Sequence, residues 1–314
     1  MPIITGTLQR SSVIGVREEL QDAISNISPV DVKFTKMIGK YKVGNTFFEW
    51  QTDELAAPAN NTQVDGDDTA FAAVTQPARV GNYTQISKKS VIIGDTSDVI
   101  NKAGRKSELA YQIDKQTKEL KRDIEFALLN NKTHSSSATR QTAGVQGWLE
   151  TNCSVGGGAG AVGVRATNTA PVAGTNRTFT LALVKTQIQN CFTQGGEPSV
   201  LMVTPAHKVT FSGETFNATR FAKAESAAMH GAVDVYVNDF GELKVIPSRI
   251  LAYGDTNAVA LLLDPSQFSM AELRPVKYVP LAKTGDAEKA HVICEYGLKV
   301  GNQKASAQIR DLTP

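Results

Sequence analysis

Residues 105–131, "RKSELAYQIDKQTKELKRDIEFALLNN", contain no Gly and no Pro. Leu109, Ile113, Leu120, Ile124 and Leu128 recur at three- and four-residue multiples, with Thr117 filling the gap. That spacing predicts one helix with a single apolar stripe. At 1.5 Å per residue it is about 40 Å long. The rest of its surface is charged. Asp114 with Lys118, Lys115 with Glu119 and Lys121 with Glu125 stand four apart. Each such pair adds about 0.2–0.5 kcal/mol. A stripe this narrow buries one side only, so the helix lies across another element and keeps most of its charge in water.

Two flanking regions differ from it. "YKVGNTFFEWQTDEL" and "PARVGNYTQISKKSVIIG" are rich in aromatic and β-branched residues, and the stretch between them is small, polar and turn-rich. This predicts a long two-stranded hairpin over 39–95. A two-stranded ribbon is marginal alone and needs a second surface. Between Val43 and Ala78 there are acids at Glu49, Asp53, Glu54, Asp65, Asp67 and Asp68, and no Lys or Arg. The "DGDD" run lacks the spaced ligands and closing Glu of a calcium loop. Residues 1–38 read as an arm, with Val16, Leu20, Ala23 and Ile27 at helical spacing before Pro29.

Downstream, 132–179 is small and polar, with Trp148 as an apolar anchor between its two halves, and the second half reads as a flexible surface insertion. Residues 180–265 read as an α/β unit. A helix carries Val184, Ile188, Cys191 and Phe192 on one face, "SVLMVTP" and "AVALLLDP" are buried strands, and "VDVYVNDFGELKVIP" is a hairpin turning at 238–241. Thr204 and Pro205 open a second helix. In 270–314, "HVICEYGLKV" alternates, and "GNQ" is expected to turn it into "KASAQIRDL" as a closing ribbon that covers the long helix.

No chemistry is spelled out along the chain. "GAGAVG" at 158–163 has the dinucleotide-binding spacing but no strand before it and no helix after it. His134, His207, His230 and His291 are not at ligand spacing, and Cys153, Cys191 and Cys294 form no CxxC pair. With 33 basic and 31 acidic residues, the chain is not built to condense nucleic acid by bulk charge. No segment is long and apolar enough to span a bilayer. The N-terminus lacks a secretory signal, so synthesis and retention in a cytosol are expected.

The order of parts, with "FFEWQTDELAAPA", "VGNYTQI", "SELAYQIDKQTKELKRDIEFALL" and "ATRQTAGVQGW" densely covering 47–148 and "TQGGEP" further on, resembles the SU-ten-type major head proteins of tailed phages. The resemblance implies an α+β, Hong Kong-97-like phage capsid fold. Its parts would be an N-terminal arm (1–38), an extended β-hairpin loop (39–95), a peripheral domain (96–179) with a spine helix (105–131), an inserted axial domain (180–265) and a peripheral C-terminal β ribbon (266–314). It implies a non-catalytic shell protein without cofactor or metal, forming pentameric and hexameric capsomers around double-stranded DNA in the host cytoplasm. DNA contact would be non-specific, and no membrane is involved. The partners implied are a portal, a decoration protein and scaffolding that is a separate protein or was already removed, since the chain starts almost directly at the arm.

The acids Glu49, Asp53, Glu54, Asp65, Asp67 and Asp68 are then expected to lie over Lys115, Lys118 and Arg122 of an adjacent subunit. The alternatives are an encapsulin-like nanocompartment shell and an enzyme with an unrecognised site in 180–265.

Overall fold

The computed structural model describes residues 30, 32–66, 68, 71, 73–100, 104, 106–218, 234–251 and 258–314. The proposed arm helix around Val16–Ile27 lies outside them. The elements run α1 (Lys33–Met37), β1 (Gly39–Lys42), β2 (Phe47–Thr52), β3 (Ala78–Tyr83), β4 (Gln85–Gly94), α2 (Asp95–Val99), α3 (Glu108–Asn130) and α4 (Val145–Trp148). Then follow β5 (Cys153–Ser154), α5 (Leu181–Thr193), β6 (Val200–Val203), α6 (Pro205–Ala218), β7 (Val235–Asn238), β8 (Gly241–Pro247), β9 (Ala258–Leu263), β10 (Phe268–Leu281), β11 (Ala287–Val300) and β12 (Ala307–Leu312).

The long helix α3 starts where its orphan N–H groups find acceptors. The Ser107 hydroxyl accepts from the Ala110 amide at 3.3 Å, and the Asp98 carboxylate accepts from the Glu108 amide at 2.6 Å. Its stripe is buried unevenly. Leu120, Ile124 and Leu128 are buried, whereas Leu109 and Ile113 are only half-covered. The buried end packs into one core with Val292, Cys294, Tyr296, Leu298 and Val300, the alternating face of β11. The helix therefore lies on the sheet ordered β1-β10-β11-β4.

A second, six-stranded sheet is ordered β5-β12-β9-β6-β8-β7. Its centre explains the continuous apolar runs. On β9, Ala258, Ala260 and Leu262 face α5 and α6, while Val259, Leu261 and Leu263 enter the core shared with α3 and α4. Strands covered on both faces have no polar side to show.

Several expectations are corrected. The segment Ala307–Leu312 does not fold back on β11. It pairs antiparallel with β9 and parallel with β5, deep in the six-stranded sheet. The ribbon partner of β11 is β10 instead. Residues 153–179 form a folded insertion. Ala161 bridges Val172, Val164 bridges Thr169, and the Asn168 side chain both accepts from the His134 amide and donates to its carbonyl. Phe192 is not on the buried face of α5. It stacks at the surface on Phe240, 4.9 Å between ring centres. The hairpin over 39–95 is shorter than its sequence span, because β1 joins β10 and β4 joins β11, leaving only β2 and β3 paired with each other.

Candidate functional site

The hairpin β2–β3 is anchored at its root by aromatic side chains. Phe48 lies against Gly297, where an added Cβ would come within 2.7 Å of the ring. Trp50 stacks on Trp148 at 5.1 Å. Beneath them the buried Asn82 carboxamide donates to the Thr142 hydroxyl (3.1 Å) and to the carbonyls of Ala143 (3.1 Å) and Leu298 (2.8 Å), and it accepts from the Ala143 amide (3.0 Å). One side chain thus ties the hairpin, the loop before α4 and β11. Sequence reasoning missed it, although Asn82 stands in "VGNYTQI" and its partners in "ATRQTAGVQGW". A second knot is Glu295. Its carboxylate accepts from Arg140 (2.7 Å), Arg274 (2.9 Å) and Thr84 (2.9 Å).

Beyond the root, the connection 53–77 has no helix or strand among its described residues. It displays Leu55 at 99%, Phe71 at 95% and Val74 at 85% exposure. These side chains are free to meet a second surface.

The acids of the hairpin divide in two. Glu49 is already paired with Arg79 across the ribbon, and Glu54 accepts from Lys304 at 2.6 Å. Asp53, Asp65 and Asp68 have no cation beside them among the described residues, and Asp67 lies outside these. On α3, Lys118 pairs with Asp114 of the same helix. Lys115 is exposed, and Arg122 edges a cleft with Lys89, Asp123 and Phe126. The nearby Lys89 on β4 is held by Asp123 at 2.9 Å, with Glu119 at 4.0 Å. Among the described residues, no ion pair within one chain joins a hairpin acid to Lys115, Lys118 or Arg122.

Glu125, sequence-paired with Lys121, does other work. It is buried, and its carboxylate accepts from the amides of Phe34 (2.6 Å) and Thr35 (2.7 Å) and from the Thr35 hydroxyl. A carboxylate at the N-terminal amides of α1 holds that short helix against the long one.

Among the described residues no group of three His, Cys, Asp or Glu is placed to hold a metal. Burial pushes the thiol of Cys153 up to about 11 and those of Cys191 and Cys294 up to about 12, which favours the protonated thiol over the nucleophilic thiolate. His207 is fixed between the Thr204 hydroxyl (2.8 Å) and the Thr313 carbonyl (2.9 Å).

A profile of the SU10 major capsid protein family matches residues 3–313. The chain belongs to that family. A major capsid protein of Escherichia phage Phieco32 is 30% identical to this capsid protein over 322 residues, covering 90% of each chain. Among solved structures, the capsid of cyanophage A-1(L) superposes with a TM-score of 0.65 at 12% identity, covering 98% of this chain and 99% of that one. The holo-SrpI encapsulin of Synechococcus elongatus PCC 7942 superposes at 0.59 with 11% identity, covering 98% and 96%. At such identities these likenesses show the fold, which is the Hong Kong-97-like capsid fold. Fold alone does not separate phage shells from encapsulins; the family does. The capsid protein is a structural component of a tailed-phage virion, assembling into a multimeric shell, and it is not an enzyme.

Proposed function

We propose that this capsid protein assembles through pentamers and hexamers into an icosahedral shell around a double-stranded DNA genome, in the host cytoplasm. The observation that carries the reading is the connection 53–77, which presents Leu55, Phe71 and Val74 to water with no cover from the other described residues. A folded monomer gains nothing from such a surface, whereas a shell of many copies covers it in every subunit.

In this reading residues 1–38 are the arm, 39–95 the extended loop, 96–179 and 266–314 the peripheral domain, and 180–265 the axial domain. The six-stranded sheet also takes in β5 and β12, so the axial and peripheral parts share a strand-level seam. Asp53, Asp65 and Asp68, with Asp67, seat on a neighbour near Lys115 and Arg122. Glu49, Glu54 and Lys118 contribute less, because partners in their own chain already neutralise them. Scaffolding, portal and decoration proteins are separate chains, and contact with DNA is sparse and sequence-independent. Negative-stain microscopy of the expressed protein tests the reading. Closed shells, tubes or capsomers are expected, and a population of monomers only would overturn it.

A further inference from the structure

The chain has 25 glycines, and one of them, Gly66, follows an aspartate or asparagine. Every other Asp and Asn precedes a residue with a side chain. The step Asp65–Gly66 stands in the connection 53–77, at a turn with no helix or strand before it back to Thr52. Both residues are exposed. Gly66 has a φ of 81°, in the left-handed region that glycine enters at no steric cost. A Cβ built on it would meet nothing within 4 Å. Among the described residues, no hydrogen bond or ion pair holds the Asp65 carboxylate or the Gly66 amide. A backbone nitrogen can attack the side-chain carboxyl carbon of the residue before it when two restraints are absent. One is a side chain beside that nitrogen, and the other is a fold that fixes the main chain. Neither acts at this step. The same connection holds two comparisons, since Asp53 precedes Glu54 and Asp68 precedes Thr69. The Asp53 carboxylate, moreover, already accepts from the Glu54 amide at 2.9 Å.

We propose that Asp65 is a site of spontaneous covalent modification, where the unassembled chain isomerises to an isoaspartyl link through a succinimide. The Gly66 nitrogen forms a bond to the side-chain carboxyl carbon of Asp65. The carboxyl hydroxyl leaves with the amide proton as one water, closing a five-membered ring. Water then adds back to the ring. Opening at the side-chain carbonyl restores aspartate. Opening at the main-chain carbonyl routes the chain through the side-chain carbon and frees the former main-chain carbonyl as a carboxylate. Water is the only co-reactant, nothing is oxidised or reduced, and mass and net charge are unchanged. The product has one more carbon in the main chain and carries its carboxylate directly on Cα. The turn at Asp65–Gly66 is thereby lengthened and the charge of residue 65 displaced. The step needs an open connection and a bare amide, and does not depend on the shell reading.

The purified full chain, kept unassembled as light scattering shows, is incubated at neutral pH and physiological temperature. Isoaspartate is counted by methyl transfer from S-adenosylmethionine with an isoaspartyl methyltransferase, and placed by electron-transfer fragmentation. Methyl acceptance should rise with time and map to residue 65. An open loop has almost no local structure to undo, so the rate should match that of the free peptide Gln63–Thr69. Asp53 and Asp68 should remain aspartyl. Gly66→Ala, which puts a methyl group beside the nitrogen, should lose most of the signal. Alanine is strained at this φ, so Asp65→Glu provides the second variant. It keeps Gly66 and would need a six-membered ring, and it should be silent. An Asp65 that stays aspartyl while the peptide converts overturns the proposal. So does a signal that maps to other residues, or one that persists undiminished in either variant.

Discussion

The most consequential single side chains in this molecule are buried polar ones that satisfy several partners at once. Glu295 balances two arginines and a threonine hydroxyl where β11, β10, β4 and the loop before α4 meet. Glu295→Gln keeps the shape and removes the charge, leaving Arg140 half-buried and uncompensated. Because both arginines reach solvent in part, the expected cost is ~1–3 kcal/mol and not the full penalty of a sealed ion pair. Urea unfolding of the isolated subunit measures it, and a midpoint equal to wild type would show the cluster to be dispensable. His207 makes a pH prediction with a definite sign. Burial lowers its pKa below the usual 6.5, opposed by its bond to the Thr313 carbonyl, and burial lowers His134 as well. A histidine depressed in the folded state lets the unfolded chain bind protons first, so its contribution is intact above the unfolded value and is lost as pH falls through the folded one. Stability should decline from about pH 6.5 downward, and His207→Gln should flatten part of that slope. An identical slope in the variant would remove His207 from the account.

At the scale of elements, the long helix carries its stabilising contacts in its second half. Ile124→Ala and Leu128→Ala, both at the core with β11, should each cost ~2–4 kcal/mol, and Leu109→Ala, half-exposed, less than about 1 kcal/mol. Equal effects along the helix would contradict the uneven burial. The strand β12 offers a sharper test of topology. It sits between β9 and β5 in the six-stranded sheet, so deleting 307–314 should abolish folding, as read by solubility and circular dichroism. A closing ribbon on β11 would have lost only an edge. This is also where legibility in the sequence divides. Periodicity showed the face of α3 and the doubly buried run of β9, since burial is written position by position. It did not show the partner of β12, because alternation specifies which face is apolar and not which strand lies alongside. Phe192 was misplaced for a related reason. It stands on the flank of the α5 stripe, one residue past the buried Cys191, and meets a surface ring, Phe240, instead of the core. Asn82 and Glu125 were hidden because their partners are non-local backbone groups that no side-chain pattern announces.

Across the whole molecule, surfaces left incomplete in one chain are complementary in kind. The acids without cations lie on the hairpin connection together with the exposed apolar groups Leu55, Phe71 and Val74, and exposed Lys115 and half-covered Arg122 lie on α3. Charge and apolar area have different signatures in assembly. Charge steers encounter and is screened, the Debye length shrinking from about 30 Å at 0.01 M salt to about 3 Å at 1 M, whereas burial of an aromatic ring is nearly indifferent to salt over that range. Asp53/Asp65/Asp68→Lys should therefore slow assembly most at low salt, with the deficit narrowing as salt is added. A compensating Lys115/Lys118/Arg122→Glu chain, co-assembled with it, should restore the rate in part. Phe71→Ser should instead lower the yield of particles to a similar degree at every salt concentration. Light scattering of assembly across a salt series reads all three. If the lysine variant were equally impaired at high and low salt, or if the reversed helix gave no rescue, the hairpin acids would be solvated bystanders and the contact would rest on its apolar anchors alone.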